Sequence, residues 1–239
     1  MTKKISFIPT FDKVPGIEFL EIPKPAKNYI PEWYKKGKFF SKNRSDALES
    51  LSEMTVKSCV PFLDTLTSGY MLKLHQDIIV VKEDNLVRIK WRDGPDPVVL
   101  RNSADEVKIF GSSIPTPIGC SDDHWAWRFY FAIKVPKGYS ALVTHPFNRY
   151  DLPFISSSGI MDEFTPFSGQ FSFWLKEGFE GIIPKDTPIA QLFPFKRDDW
   201  ESEIRKDLTD SLAFYSHEKL RTIGTGYYKK TFHRKKSYK

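Results

Sequence analysis

The chain has 239 residues, of which 40% are apolar and 15% aromatic, with 20 Phe, 17 Pro and 13 Gly. That length and apolar content suffice for a sizeable core in one domain, and they exclude a disordered or low-complexity protein. The formal charge is +6, but from Lys219 on there are eight Lys or Arg and no acid, so the preceding 218 residues hold 28 bases and 30 acids. The body is therefore not a basic, nucleic-acid-shaped surface, and positive charge is confined to the end of the chain.

Pro and Gly recur throughout, which argues for many short strands and turns rather than long helices. No apolar run reaches 18 residues, so no transmembrane helix is expected. The apolar part of the N-terminus, after Lys3 and Lys4, is too short for a signal peptide. Cys59 and Cys120 have no metal or redox spacing and read as free, buried thiols in a reducing compartment.

Residues 1–43 carry Pro9, Pro15, Pro23, Pro25 and Pro31, which break any helix before it grows. Ile5, Phe7, Ile8, Phe19, Leu20 and Ile22 suit an arm lying on a core. Pro31 can start a short helix anchored by Trp33 and Tyr34. Ser45 can cap a second one, running to Met54. Residues 56–67 have near-helical apolar spacing, and Gly69 ends that run. Strand patterns follow at 70–74, 78–81 and 85–91, the last with strict alternation between turns at Asp84 and at Asp93-Gly94-Pro95. Residues 100–123 read as a variable, turn-rich segment. Residues 125–135 form the longest strand pattern, with Trp125, Trp127, Phe129, Phe131 and Ile133 on one face. Further strands are expected at 140–144, 170–175, 179–183 and 189–195. Asp198 or Asp199 can cap a long helix to Lys219, with Trp200, Ile204, Leu208 and Leu212 at four-residue spacing. The organisation that follows is an N-terminal arm (1–55), a β core (56–197), and a C-terminal helix with a basic tail (198–239).

Several segments then align with one known superfamily. Thr67-Ser68-Gly69-Tyr70-Met71-Leu72 is followed by Pro136-Lys137-Gly138-Tyr139 before a strand, by Gly159-Ile160-Met161-Asp162, and by Ile189-Ala190-Gln191-Leu192. This order, over residues 67–195, resembles the core of the dUTPase and dCTP-deaminase superfamily. The resemblance implies a mainly β fold, a β-clip or distorted barrel, with a trimer favoured. It implies Asp162 as a catalytic base, Phe164 (or Phe167) as a stacking face for a base, and Arg149, Gln191 and Arg221 at phosphates. If the chain is such an enzyme, magnesium would hold the triphosphate.

The likeness departs where ligands are gripped. Met71 stands at the metal-binding acid and cannot ligate a hard cation. His145-Pro146-Phe147-Asn148-Arg149 replaces an Arg-Ser-Ser motif, and Ser156, Ser157 and Ser158 lie further on and could supply hydroxyls. Asp162 has an equally physical role as a turn-closing acceptor of backbone N–H groups. Together with residues 30–34, 61–64 and 189–197, the whole chain resembles an uncharacterised family of tailed phages and bacteria.

Two function classes follow. The first is a non-catalytic structural or interaction protein of a phage, on a virion or in host cytoplasm, with no cofactor and with further virion proteins as partners. The second is a deoxynucleotide hydrolase or deaminase. A minor reading takes His75, Asp77 and the distal His145 as a non-haem iron triad. The tail 228–239 reads as a solvated segment, as a contact for nucleic acid, or as one for an acidic neighbouring surface.

Overall fold

The computed structural model describes residues 3–9, 22–39, 54–84, 86–92, 94–101, 114–164, 170–209 and 227–239. The fold is mainly β and its pairing is antiparallel throughout. In chain order the elements are β1 (Ser6–Pro9), β2 (Lys24–Pro25), α1 (Glu32–Lys36), α2 (Val60–Thr67), β3 (Tyr70–Lys73), β4 (Ile78–Glu83), β5 (Leu86–Trp91) and β6 (Val98–Arg101). There follow β7 (Cys120–Arg128), β8 (Phe131–Lys134), β9 (Tyr139–Thr144), β10 (Phe154–Ser156), β11 (Gly159–Met161), β12 (Glu163–Phe164), β13 (Gln170–Lys176), β14 (Gly181–Ile183), β15 (Pro188–Lys196) and α3 (Tyr227–Thr231). The strands form four sheets, ordered β1-β8-β12, β10-β13-β7-β6, β11-β9-β15-β3-β2 and β14-β4-β5.

The alternation in β5 places Val87, Ile89 and Trp91 inward, as a half-buried strand requires, while Leu86 stays exposed. β15 differs. Ile189, Ala190, Gln191 and Leu192 are all buried, so this strand is covered on both faces, between β9 and β3. The centre of the core is aromatic. Trp127 stacks on Phe173 with centroids 3.6 Å apart and meets Phe154 edge-on at 4.9 Å. The Trp127 indole N–H donates to Ser156 Oγ at 3.0 Å, and that hydroxyl donates to the Ile189 carbonyl at 2.7 Å. One hydroxyl thus joins the four-stranded sheet to the five-stranded one without leaving a buried indole unsatisfied.

Gly69 fixes the entry to β3. Its φ is +75°, and a Cβ there would lie 2.1 Å from the Leu192 carbonyl oxygen. A left-handed backbone and a close approach both demand glycine at this position.

Several elements depart from the pattern read in the sequence. The stretch 125–135 is two strands, because the chain bends after Arg128 and β8 joins a different sheet from β7. Its five apolar residues still all reach the core. Gly159–Met161 is not a turn but β11, paired to β9. The helical run 56–67 is split at Cys59 into a 3-10 turn (Val56–Ser58) and α2, with a proline in the first turn of α2, and at this junction Cys59 is exposed rather than buried, while Cys120 is half-buried. Residues 198–205 are not helical, and helical geometry starts only with a 3-10 turn at Lys206–Leu208. The reason is that Trp200 and Ile204, each 87% exposed, have no surface to pack on, and short amphipathic helices draw their stability from such packing. A C-terminal helix is present as α3. The N-terminal arm is built into the sheets, β1 on β8 and β2 on β3. The helix expected at Ser45–Met54 lies outside the described residues, apart from Met54. Strands β10, β11 and β12 carry too few residues for a periodic signal.

Candidate functional site

The motif residues gather around β9, β11, β15 and the loop after β9. Asp162 follows β11 directly. Its carboxylate accepts from Ser140 Oγ at 2.6 Å and from Arg197 at 3.3 Å, with 63% of the side chain exposed. Ser140 lies on β9, and Arg197 follows β15. The Arg197 amide also donates to the Gly138 carbonyl at 2.9 Å. Asp162 therefore closes a corner where three elements meet and points to solvent.

Arg149 sits in the loop Pro146–Asp151. Its guanidinium grips Asp151 in a two-pronged pair, Nε to Oδ1 at 2.9 Å and Nη2 to Oδ2 at 3.0 Å. Burial opposes ionisation of Asp151, but the Arg149 pair, with a further hydrogen bond from Trp33, outweighs it and holds the carboxyl below its ordinary range. The best forked donor in this region is thus directed at a neighbour two residues away.

Gln191 is fully buried on β15. Its amide nitrogen donates to the carbonyls of Thr65 (2.8 Å) and Ser68 (2.6 Å), and its oxygen accepts from the Phe147 N–H at 3.0 Å. It ties the end of α2 and the loop after β9 to the central strand, with both amide hydrogens used. Asn148, at φ +59°, adds a bond to Thr65 Oγ1 at 2.7 Å. The downstream serines are used similarly: Ser158 Oγ pairs with Thr144 Oγ1 at 2.6 Å, and Ser157 donates its N–H to the Ser172 carbonyl.

Phe164 lies in β12, its backbone opposite Ile133. Arg221 and Phe167 lie outside the described residues. Met71 is buried, in register with Gln191.

The three candidate iron ligands are not brought together. His75 Nε2 donates to the Pro95 carbonyl at 3.1 Å, and Asp77 accepts the Lys185 N–H at 2.6 Å. His145 uses both ring nitrogens, Nε2 donating to the Arg149 carbonyl at 3.0 Å and Nδ1 accepting from Ser156 N–H at 3.2 Å. Burial pushes both imidazoles below the usual histidine range, toward the neutral form. Among the described residues no three His, Cys, Asp or Glu side chains form a metal-ready group.

The basic tail is neither simply solvated nor free. His233 Nε2 donates to Asp64 Oδ1 at 3.2 Å, and Lys236 pairs with Asp64 Oδ2. Tyr238 packs against Tyr70 and Phe193, at 5.9 and 6.0 Å between centroids. Burial raises the Asp64 carboxyl, but the bonds and charges of Lys236 and His233 more than offset this and hold it low. Sequence reasoning missed the roles of Asp64, Ser140, Arg197 and Trp33. Trp33 reads there only as a helix anchor, and Asp64 and Arg197 only as members of longer segments.

Hollows among the described residues open to the outside. A cleft of about 30 Å³ beside His75 holds roughly one water. A hollow of about 480 Å³ beside Cys120 is rimmed by Asp122, Asp123, Glu177 and Glu180. A groove of about 380 Å³ lies between β1 and β2, lined by Ile5, Phe7, Ile22, Pro25 and Tyr70.

No helix among the described residues is long and apolar enough to cross a membrane. Models of known protein families give no match to the chain, nor do curated protein sequences.

Proposed function

We propose that the chain is a non-catalytic structural or interaction protein, a phage component built on an oligomeric, dUTPase-like β fold. One observation carries this reading: the described polar side chains that the resemblance assigns to a nucleotide are paired with other groups of the chain. Arg149 is forked onto Asp151, and Gln191 spends its amide on three backbone groups. Asp162 is braced by Ser140 and Arg197 at a solvent-facing corner. A general base acts on a water held beside it in a site that orients substrate, and an exposed, ion-paired carboxylate lacks that setting. Met71 in place of a magnesium-binding acid points the same way. Partners are then other copies of the chain, as a trimer, and neighbouring virion proteins, with the surface rather than a pocket as the functional part.

The test is a hydrolysis and thermal-shift screen over deoxynucleoside triphosphates with magnesium, alongside a search for the protein in purified virions. Silence in the screen and presence in virions are expected. Turnover that Asp162→Asn abolishes would overturn the reading in favour of a nucleotide enzyme.

A further inference from the structure

We propose that the docked C-terminal segment, residues 228–239, is a binding surface for single-stranded nucleic acid, with Lys229, Lys230, Arg234 and Lys235 on phosphates and Tyr228 and Phe232 stacked on bases. The inference goes beyond the non-catalytic reading and adds a partner to it.

The side chains of this segment fall into two sets. One set is used on the body of the molecule. His233 and Lys236 bind the Asp64 carboxylate, and the Tyr238 hydroxyl shares a hydrogen bond with Ser68. Tyr70 donates its O–H to the Lys239 carbonyl at 3.3 Å, and the Tyr238 ring lies against Tyr70 and Phe193. The other set is Lys229, Lys230, Arg234 and Lys235, all exposed. Unlike Lys236, none of these four pairs with an acid among the described residues. No acid occurs anywhere from Lys219 to the end of the chain, so no neighbour in the sequence of the segment competes for them. Cations in this state are what a phosphate backbone recruits, through release of its condensed counterions. The contacts to Asp64, Ser68 and Tyr70 also fix the backbone that carries them. Less ordering is then left for the moment of binding than in a free tail, which favours affinity.

Basic side chains alone would suit any acidic surface, and the aromatic residues among them decide the class of partner. Tyr228 lies in α3 and Phe232 directly after it, and the Phe232 N–H donates to the Tyr228 carbonyl at 3.0 Å. Residues four apart on a helical turn share a face, and the two ring centroids are 6.3 Å apart. The rings are 45% and 47% exposed. Lys229 and Lys230 stand between them in the chain, and Arg234 and Lys235 follow closely. Half-exposed rings interleaved with cations offer stacking faces beside phosphate contacts, the combination by which proteins hold single strands. A carboxylate surface would use only the cations. A duplex keeps the faces of its bases covered by their neighbours, so the single strand is the partner that uses both components.

Fluorescence anisotropy of a labelled oligodeoxythymidine of about 16 nucleotides, titrated with the full chain over a range of salt, tests this. Binding should weaken steeply as salt rises. Lys229→Ala with Lys230→Ala, and Arg234→Ala with Lys235→Ala, should each weaken it by roughly 10-fold at low salt and reduce the log–log salt slope by about 1.4, or about 0.7 for each lost base. Tyr228→Leu with Phe232→Leu keeps the charge and the apolar character. It should weaken binding by about 10-fold with the salt slope unchanged. Circular dichroism should show all three variants folded as the wild type is. Polyglutamate at equal charge should compete poorly. No binding at low salt, or binding that neither pair of base substitutions weakens, would overturn the proposal. A leucine variant that binds as the wild type does would overturn the single-strand assignment, and equal competition by polyglutamate would overturn it in favour of an acidic protein partner. The nucleotide screen and the virion search decide the non-catalytic reading separately.

Discussion

Ile189–Leu192 and Trp200–Leu208 are close neighbours in sequence with opposite fates. The first four residues are at most 1% exposed, whereas Trp200 and Ile204 are 87% exposed. Both segments carry apolar residues in a regular pattern. The difference is what lies beside them: β15 has a strand on each edge and cover on both faces, and the later segment pairs with no strand among the described residues. Apolar patterning thus says that a face wants covering, and only the surrounding structure says by what.

The contrast can be broken most sharply at Gly69, whose Cα side faces the β15 backbone. Gly69→Ala forces a left-handed residue, at roughly 1–2 kcal/mol, and drives a methyl into the Leu192 carbonyl. We expect a Tm loss of about 10 °C or more, or failure to accumulate folded protein. A Tm near wild type would mean that β15 is not held as closely as described. Gln191→Leu comes next. It keeps the volume but leaves the Phe147 N–H and the Thr65 and Ser68 carbonyls without their partner, at a cost of about 3 kcal/mol or more. Denaturant unfolding checks this, and a cost below about 1 kcal/mol would argue that water replaces the amide.

Acid should reach the buried side of the comparison before the exposed one. His75 and His145 have folded-state values depressed by burial, so their neutral forms stabilise the fold above the unfolded-state value of about 6.5. As pH falls below that point the unfolded chain takes up protons first, and stability should decline until the folded-state values are passed. His145→Gln should flatten part of that decline in a pH series of urea midpoints. The smallest effect is expected at Asp64. Asp64→Ala removes the partner of His233 and Lys236, at up to about 1 kcal/mol because Lys236 is well exposed. The readout is trypsin cleavage at Arg234–Lys236, which should quicken while the core stays resistant. Acidification below the ordinary carboxylate range should release the tail in the same way, since the depressed Asp64 carboxyl must then protonate.

The strands at β3, β4, β5, β9, β13 and β15 were legible because each has enough alternating or clustered apolar residues to register a period. The short strands β10, β11 and β12 were not, because two or three residues carry no period and their pairing depends on partners far along the chain. The candidate site was legible only as residue types. Nothing in Arg149-Tyr150-Asp151 says that the arginine folds back two residues rather than outward to a ligand. Nothing around Gln191 announces three backbone partners, two of them more than 120 residues away.

The sequence by itself determined a mainly β chain, an apolar face of Trp125, Trp127, Phe129, Phe131 and Ile133 that enters the core, and a basic end. These follow from local sterics, apolar periodicity and composition, which need no knowledge of distant contacts. The tertiary structure alone decided that the described motif residues pair with other groups of the chain, that the tail docks on Asp64, and that Trp200 and Ile204 are exposed. Each of these depends on which groups meet across the chain, and polar side chains take the nearest good partner that folding brings to them.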